Sequence, residues 1–235
     1  MVAPAEIRAI DYSADAFSRM APGPAELLRR IVETGQGEGE PTPDAGGEIG
    51  KAEIDALYNL VRHLKPQATL EVGLAKGTSA ITILAALVDA GIAVPVHRAI
   101  DPFQSVVYKR NGLRNAAHCG FGENLVLIED SSHRALPYLL MSEKRRFDFV
   151  FLDGNHLFDF TFLEWFYCDK MLPVGGTILF DDADMPAVAA VINFLATNLP
   201  YEVVTISARL RLAIKTGEDG RLWSDFTPFA TTTDR

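Results

Sequence analysis

The chain has 235 residues, 48% of them hydrophobic and 23% charged. This is the make-up of an ordinary globular protein, able to bury on the order of 70% of its unfolded surface without disulfides or a structural metal. Its 31 acidic side chains against 22 basic ones leave a formal charge of −9, which disfavours a phosphate backbone as partner, so no nucleic acid is expected. Cys119 and Cys168 show no metal-finger or redox spacing, the longest apolar stretch (81–88) stops at Asp89, and the first residues lack a basic segment followed by an apolar core. No membrane segment and no secretion are therefore expected, and the setting is a reducing, cytoplasmic one.

In chain order, residues 25–32 carry Leu27, Leu28 and Ile31 at helical spacing. The following run, TGQGEGEPTPDAGGEIG at 34–50, holds six glycines and two prolines and reads as a mobile loop. About thirty residues before it are too few for a separate domain, so the loop reads as a lid rather than a linker. Residues 1–50 are thus a helical segment with a lid, 51–216 the core and 217–235 a tail, one domain overall.

From there the chain repeats one theme: a short apolar run ending near Glu or Asp, then a helical pattern. The runs lie at 68–72, 96–100, 125–128, 147–152 and 177–180. One helical stretch, 79–90, places Ile81, Leu84, Ala85 and Val88 on one face. Such alternation predicts an α/β fold with a doubly wound, mostly parallel sheet. Two further β-rich runs, 201–206 and 210–215, are joined by only Ser207, Ala208 and Arg209 and predict a closing antiparallel hairpin, making seven strands.

Ligands of such sheets bind beyond the carboxyl ends of the strands. The first run ends in EVGLAKGTS (71–79), where Gly73 and Gly77 permit a tight turn and Thr78 or Ser79 can cap the next helix. The turn departs from the dinucleotide pattern G-x-G-x-x-G, since Ala75 and Thr78 stand where glycines belong, and the acidic Glu71 suits a ligand carrying an amine. That argues against a nucleotide-dependent dehydrogenase. Asp101, after the second run, can accept from both hydroxyls of a ribose, a role its spacing favours over the alternative of helix capping. Asp130 and Ser131 follow the third run, within reach of an adenine edge, although Asp and Ser are also ordinary turn residues. The fourth and fifth runs end in FVFLDGNH and PVGGTILFDD. They supply Asp153, Asp181 and Asp182, an oxygen set suited to Mg²⁺ if the fifth strand ends before Asp181; the alternative is capping of the next helix.

Through EVGLAKGTS, Asp101, DGNH at 153–156 and LPVGG at 172–176 leading to Asp181 and Asp182, residues 50–216 resemble the class I S-adenosylmethionine-dependent methyltransferases. The likeness is to the small-molecule O-methyltransferases of the catechol type and of the type that modifies natural-product sugars. The resemblance implies a Rossmann-like methyltransferase fold and a cytoplasmic enzyme that methylates a hydroxyl of a small molecule. It implies that Glu71, Gly73 and Gly77, with Ser79 beside them, face the methionine part of the cofactor. Asp101 then holds the ribose, Asp130 and Ser131 lie by the adenine, and Asp153 adjoins the methionine site. Asp153, Asp181 and Asp182 match the metal positions of the metal-dependent members, with Mg²⁺ as the expected ion. The sugar-modifying type has an Asp base where this chain has Asn155, which cannot take a proton. The catechol type has a Lys where this chain has His156, a natural base near neutral pH; a hydrogen-bonding or packing role for His156 is the alternative. His133 is a weaker candidate. Metal-free transfer using His156, and a non-catalytic cofactor-binding subunit, stay open, as do the acceptor and a homodimeric state.

Overall fold

The computed structural model describes residues 3–42 and 48–229. The remainder of the expected lid, residues 43–47, lies outside them. A seven-stranded sheet runs in the order β3-β2-β1-β4-β5-β7-β6. Its strands are β1 (Thr69–Val72), β2 (His97–Ile100), β3 (Leu125–Ile128), β4 (Phe149–Leu152), β5 (Thr177–Phe180), β6 (Tyr201–Thr205) and β7 (Arg211–Lys215). Every apolar run of the sequence is thus a strand, trimmed by up to two residues. The predicted hairpin is present too, β6 pairing antiparallel with β7 and β7 with β5.

Contacts group the chain into two compact units, Ile10–Ser131 and Met1–Ala9 with Ser132–Arg235. The first contains α2 (Pro22–Thr34), α3 (Lys51–Leu64), β1, α4 (Thr78–Asp89), β2, α5 (Asn111–His118) and β3, its three strands parallel. Helix α4 is buried around its whole circumference from Thr78 to Leu87, because other elements cover it on all sides and it needs no polar face. Val88, expected on the buried face, is 47% exposed instead; it lies in the last turn. The second unit contains α1 (Pro4–Arg8), α6 (Ser132–Met141), β4, α7 (Phe158–Met171), β5, α8 (Pro186–Asn198) and the hairpin. All four residues of β1, β4 and β5 are buried, as befits parallel strands covered on both faces. Among the described residues no helix is long and apolar enough to cross a membrane.

Candidate active site

In the first unit the turn after β1 is built on positive backbone angles. Gly73 (φ 95°) and Gly77 (φ 81°) adopt them freely, and Ala75 adopts the same region at φ 44°, taking up the conformation a glycine would have had. A Cβ on Gly77 would lie 2.9 Å from the carbonyl of Gly112 in α5, so this glycine serves close backbone packing. Gly77 itself is the N-cap of α4 and no side chain caps the helix. The hydroxyl of Ser79, an expected cap, instead donates to Glu71 Oε2 at 2.7 Å. Glu71 is fully buried, and His97 Nε2 lies 3.4 Å from its Oε1.

Asp101 is a structural hub of this turn. Its Oδ2 accepts from the amides of Leu74 (3.1 Å) and Ala75 (2.8 Å) and from Gln104 Nε2 (3.1 Å), while Oδ1 accepts from the Phe103 amide at 2.7 Å. A carboxylate offers about four acceptor sites, so ribose hydroxyls would have to share Oδ1. Gln104 also donates to the Ala75 carbonyl at 2.7 Å; neither it nor His97 belongs to a motif of the sequence. The register opposes His97 to Thr69, which shares a strand face with Glu71, and that period-two relation is the signal that points to it. Asp130 Oδ1 accepts from the Ser131 amide at 2.8 Å, keeping both residues together in the turn after β3.

The described flanks of the glycine-rich loop are fastened to this turn. Buried Lys76 donates to the Gly35 carbonyl at 2.9 Å and pairs with Glu48. Asn115 accepts from the Glu38 amide at 2.5 Å and donates to the Lys76 carbonyl, and Asn111 donates to the Glu40 carbonyl. Strap and turn line a cavity of about 400 Å³ that includes Lys76 and Asn111.

The second unit holds the acidic group. β5 ends at Phe180 and Asp182 turns the chain at φ 50°, so Asp181 and Asp182 are no longer bound to opposite faces of a strand. His156, in the loop after β4, is also left-handed (φ 56°). Its Nε2 lies 3.6 Å from Asp153 Oδ1 and 3.4 Å from Asp182 Oδ2. Burial holds the His156 pKa below the usual 6.5; Asp182 opposes this and Arg209 adds to it. His133 lies elsewhere, edge-on to Phe160.

Arg209, which the sequence marks only as a hairpin residue, enters this group. Its Nε donates to Asp182 Oδ1 at 2.8 Å, and its Nη2 reaches the same oxygen and Asp181 Oδ2, the latter at 3.4 Å. Arg209 therefore bears on the expected Mg²⁺ site, which is not shown. Among the described residues no group of three or more His, Cys, Asp or Glu side chains is arranged to hold a metal. Asp182 Oδ1 and Asp181 Oδ2, two of the oxygens a hard cation would draw on, accept guanidinium N–H groups.

Comparison with known proteins places this architecture. Residues 70–183 match the family model described as a methyltransferase domain. Tapetum-specific methyltransferase 1 of Arabidopsis thaliana is 32% identical over 137 residues, 57% of this chain and 55% of the relative; the match thus spans about half of that curated relative. Among solved structures, the SAH-bound methyltransferase PaMTH1 of Podospora anserina superposes with a TM-score of 0.67 at 15% identity, covering 84% of this chain and 89% of its own. An O-methyltransferase from Bacillus cereus in complex with SAH gives 0.67 at 13% identity, covering 88% and 97%. The O-methyltransferase TomG of Streptomyces achromogenes, in complex with SAM, gives 0.66 at 19% identity, covering 92% and 100%. At such identities the solved structures speak for the fold. The chain has the fold of these methyltransferases, and residues 70–183 are similar to the methyltransferase domain family.

Proposed function

We propose that the protein transfers the methyl group of S-adenosylmethionine to a hydroxyl of a small molecule, with His156 as the general base. The observation that carries this reading is the placement of His156: a half-buried imidazole held in a left-handed backbone conformation beside two carboxylates, in the loop after β4. Carboxylates only accept, so Nε2 carries the ring proton toward Asp153 and Asp182, and Nδ1 keeps the lone pair. With the methyl donor bound, an acceptor O–H would give its proton to Nδ1 as its oxygen takes the methyl in line and the C–S bond breaks to release the neutral thioether, and the two carboxylates would stabilise the imidazolium. Glu71, Gly73, Gly77 and Ser79 are assigned to the methionine side of the cofactor, with Asp153 adjoining it. Asp101 is assigned to the ribose, and Asp130 and Ser131 to the adenine. The SAM and SAH carried by the fold neighbours support that cofactor.

TomG is described as involved in tomaymycin synthesis, and a natural-product hydroxyl is the acceptor class we adopt. The free thiols of Cys119 and Cys168 support a cytoplasmic setting. Metal activation through Asp153, Asp181 and Asp182 is the second reading, carried by their nearness in sequence to the strand ends, and Arg209 weighs against it. The test is turnover with and without excess chelator, alongside His156→Gln. We expect chelator to leave turnover intact and the Gln variant to lose about 10²–10⁴-fold in kcat while SAM affinity holds. A variant with near-normal kcat would reduce His156 to a packing residue.

A further inference from the structure

We propose that Arg209 is a resident cation of the acidic group at the end of β5, a guanidinium built into the chain where the family resemblance implies a divalent ion, and that it positions Asp182 against His156. Only the second clause rests on the function proposed above.

Three observations lead here. The first is register. Antiparallel pairing opposes Phe180 to Arg211, and continuing that ladder by two residues sets Arg209 opposite Asp182. The Ala183 amide does donate to the Arg209 carbonyl at 2.8 Å. The second is the rigidity of the hairpin turn. Ser207 Oγ accepts from the amides of Arg209 (3.2 Å) and Leu210 (3.1 Å), so the turn that presents the guanidinium is itself tied down. The third is the bonding of the head group. Nε and Nη2 both reach Asp182 Oδ1, Nη2 also reaches Asp181 Oδ2, and the Asp181 side chain is 3% exposed.

Carboxylates so far removed from water require a compensating cation. Arg is always charged and presents its donors in a fixed fork, so it fills that need permanently. A divalent ion at this place would compete with those N–H groups for Asp182 Oδ1 and Asp181 Oδ2 and would meet the guanidinium charge beside it. With Oδ1 of Asp182 held by Arg209, its Oδ2 is left facing His156 Nε2 at 3.4 Å, which fixes the ring. The acceptor's deprotonation then rests on imidazole, and no Lewis acid polarises it.

The experiment is a Mn²⁺ titration of the full chain, followed by electron paramagnetic resonance of the free ion, on wild type, Arg209→Ala, Arg209→Gln, and Arg209→Ala combined with Asp182→Asn. The proposal expects wild type to leave millimolar Mn²⁺ free. Arg209→Ala, or Arg209→Gln should the Ala variant fold poorly, should bind at least about tenfold more tightly, and the added Asp182→Asn should remove that gain. Wild type binding Mn²⁺ as well as the Arg209 variants overturns the proposal, and so does a series in which none of them binds. Because Mn²⁺ binding needs neither methyl donor nor acceptor, these outcomes stay readable even if the proposed reaction fails. For the positioning role, kcat of Arg209→Gln should fall at least about tenfold with SAM affinity kept; an unchanged kcat removes that role.

Discussion

A base must be unprotonated to act, and the surroundings of His156 act on that condition. Burial, with Arg209 in support, holds its pKa below 6.5 against the pull of Asp182, so the imidazole is neutral at pH 7 and ready to accept. The sign follows: kcat should be level from neutrality upward and fall only on moving into acid, with a midpoint below that of a free histidine. Asp182→Asn removes the raising influence and should move the midpoint to lower pH. Arg209→Gln removes a lowering one and should move it up. A kcat–pH profile of the three proteins checks both directions. At the same scale, Gly77 and Ala75 share a conformation and differ in consequence. Gly77→Ala adds a methyl at 2.9 Å from the Gly112 carbonyl in a left-handed backbone, and should cost ~2 kcal/mol or more in a denaturant titration. Ala75→Gly relieves a strained φ while loosening the unfolded chain, and should leave stability within about 1 kcal/mol of wild type.

Helix α7 carries a different kind of tension. Glu164 lies at 2% exposure on it, and burial pushes its carboxyl up to about 7 although Ser132 pulls the other way. In the unfolded chain the same group ionises near 4.5. Between those values the folded state keeps a proton that the unfolded state has lost, so stability falls as pH rises from about 4.5 through about 7. Glu164→Gln cannot ionise. It should match wild type near pH 4 and exceed it at pH 8 by up to ~3 kcal/mol, read from urea midpoints at the two pH values. The sequence shows none of this, because a Glu inside an apolar helical pattern looks the same whether it points out or in. Legibility elsewhere followed the range of the cause. Strands were readable because apolar runs are local, and so was the hairpin, whose joint is short. The apolar run 147–152 overshoots β4 by two residues, because a buried phenylalanine outside the ladder carries the same signal as one inside it. Arg209 was not readable, since its partners are set by register across two strands, and the roles of Gln104 and His97 likewise depend on neighbours distant in the chain.

On the scale of the whole molecule, the proposed cofactor should register as stability. A ligand that binds only the native chain adds about 2.7 kcal/mol at a hundred times its Kd. For a protein of this length each kcal/mol moves Tm by about 2–4 °C. SAM and SAH should therefore raise Tm by about 5–10 °C, while NAD should not move it, because the turn after β1 lacks the glycines that receive a pyrophosphate. Asp101→Ala separates two consequences of one residue. Its carboxylate gathers the amides of Leu74, Ala75 and Phe103 and the Gln104 side chain, so the variant should melt below wild type even without ligand. It should also lose most of the SAM-induced shift if Oδ1 shares its remaining capacity with the ribose. The two effects are read apart by melting each protein with and without SAM. A lower baseline with an undiminished SAM shift would keep Asp101 as a scaffold of the turn and move the ribose to another partner. NAD raising Tm where SAM does not would return the chain to the nucleotide-binding enzymes that the turn argues against.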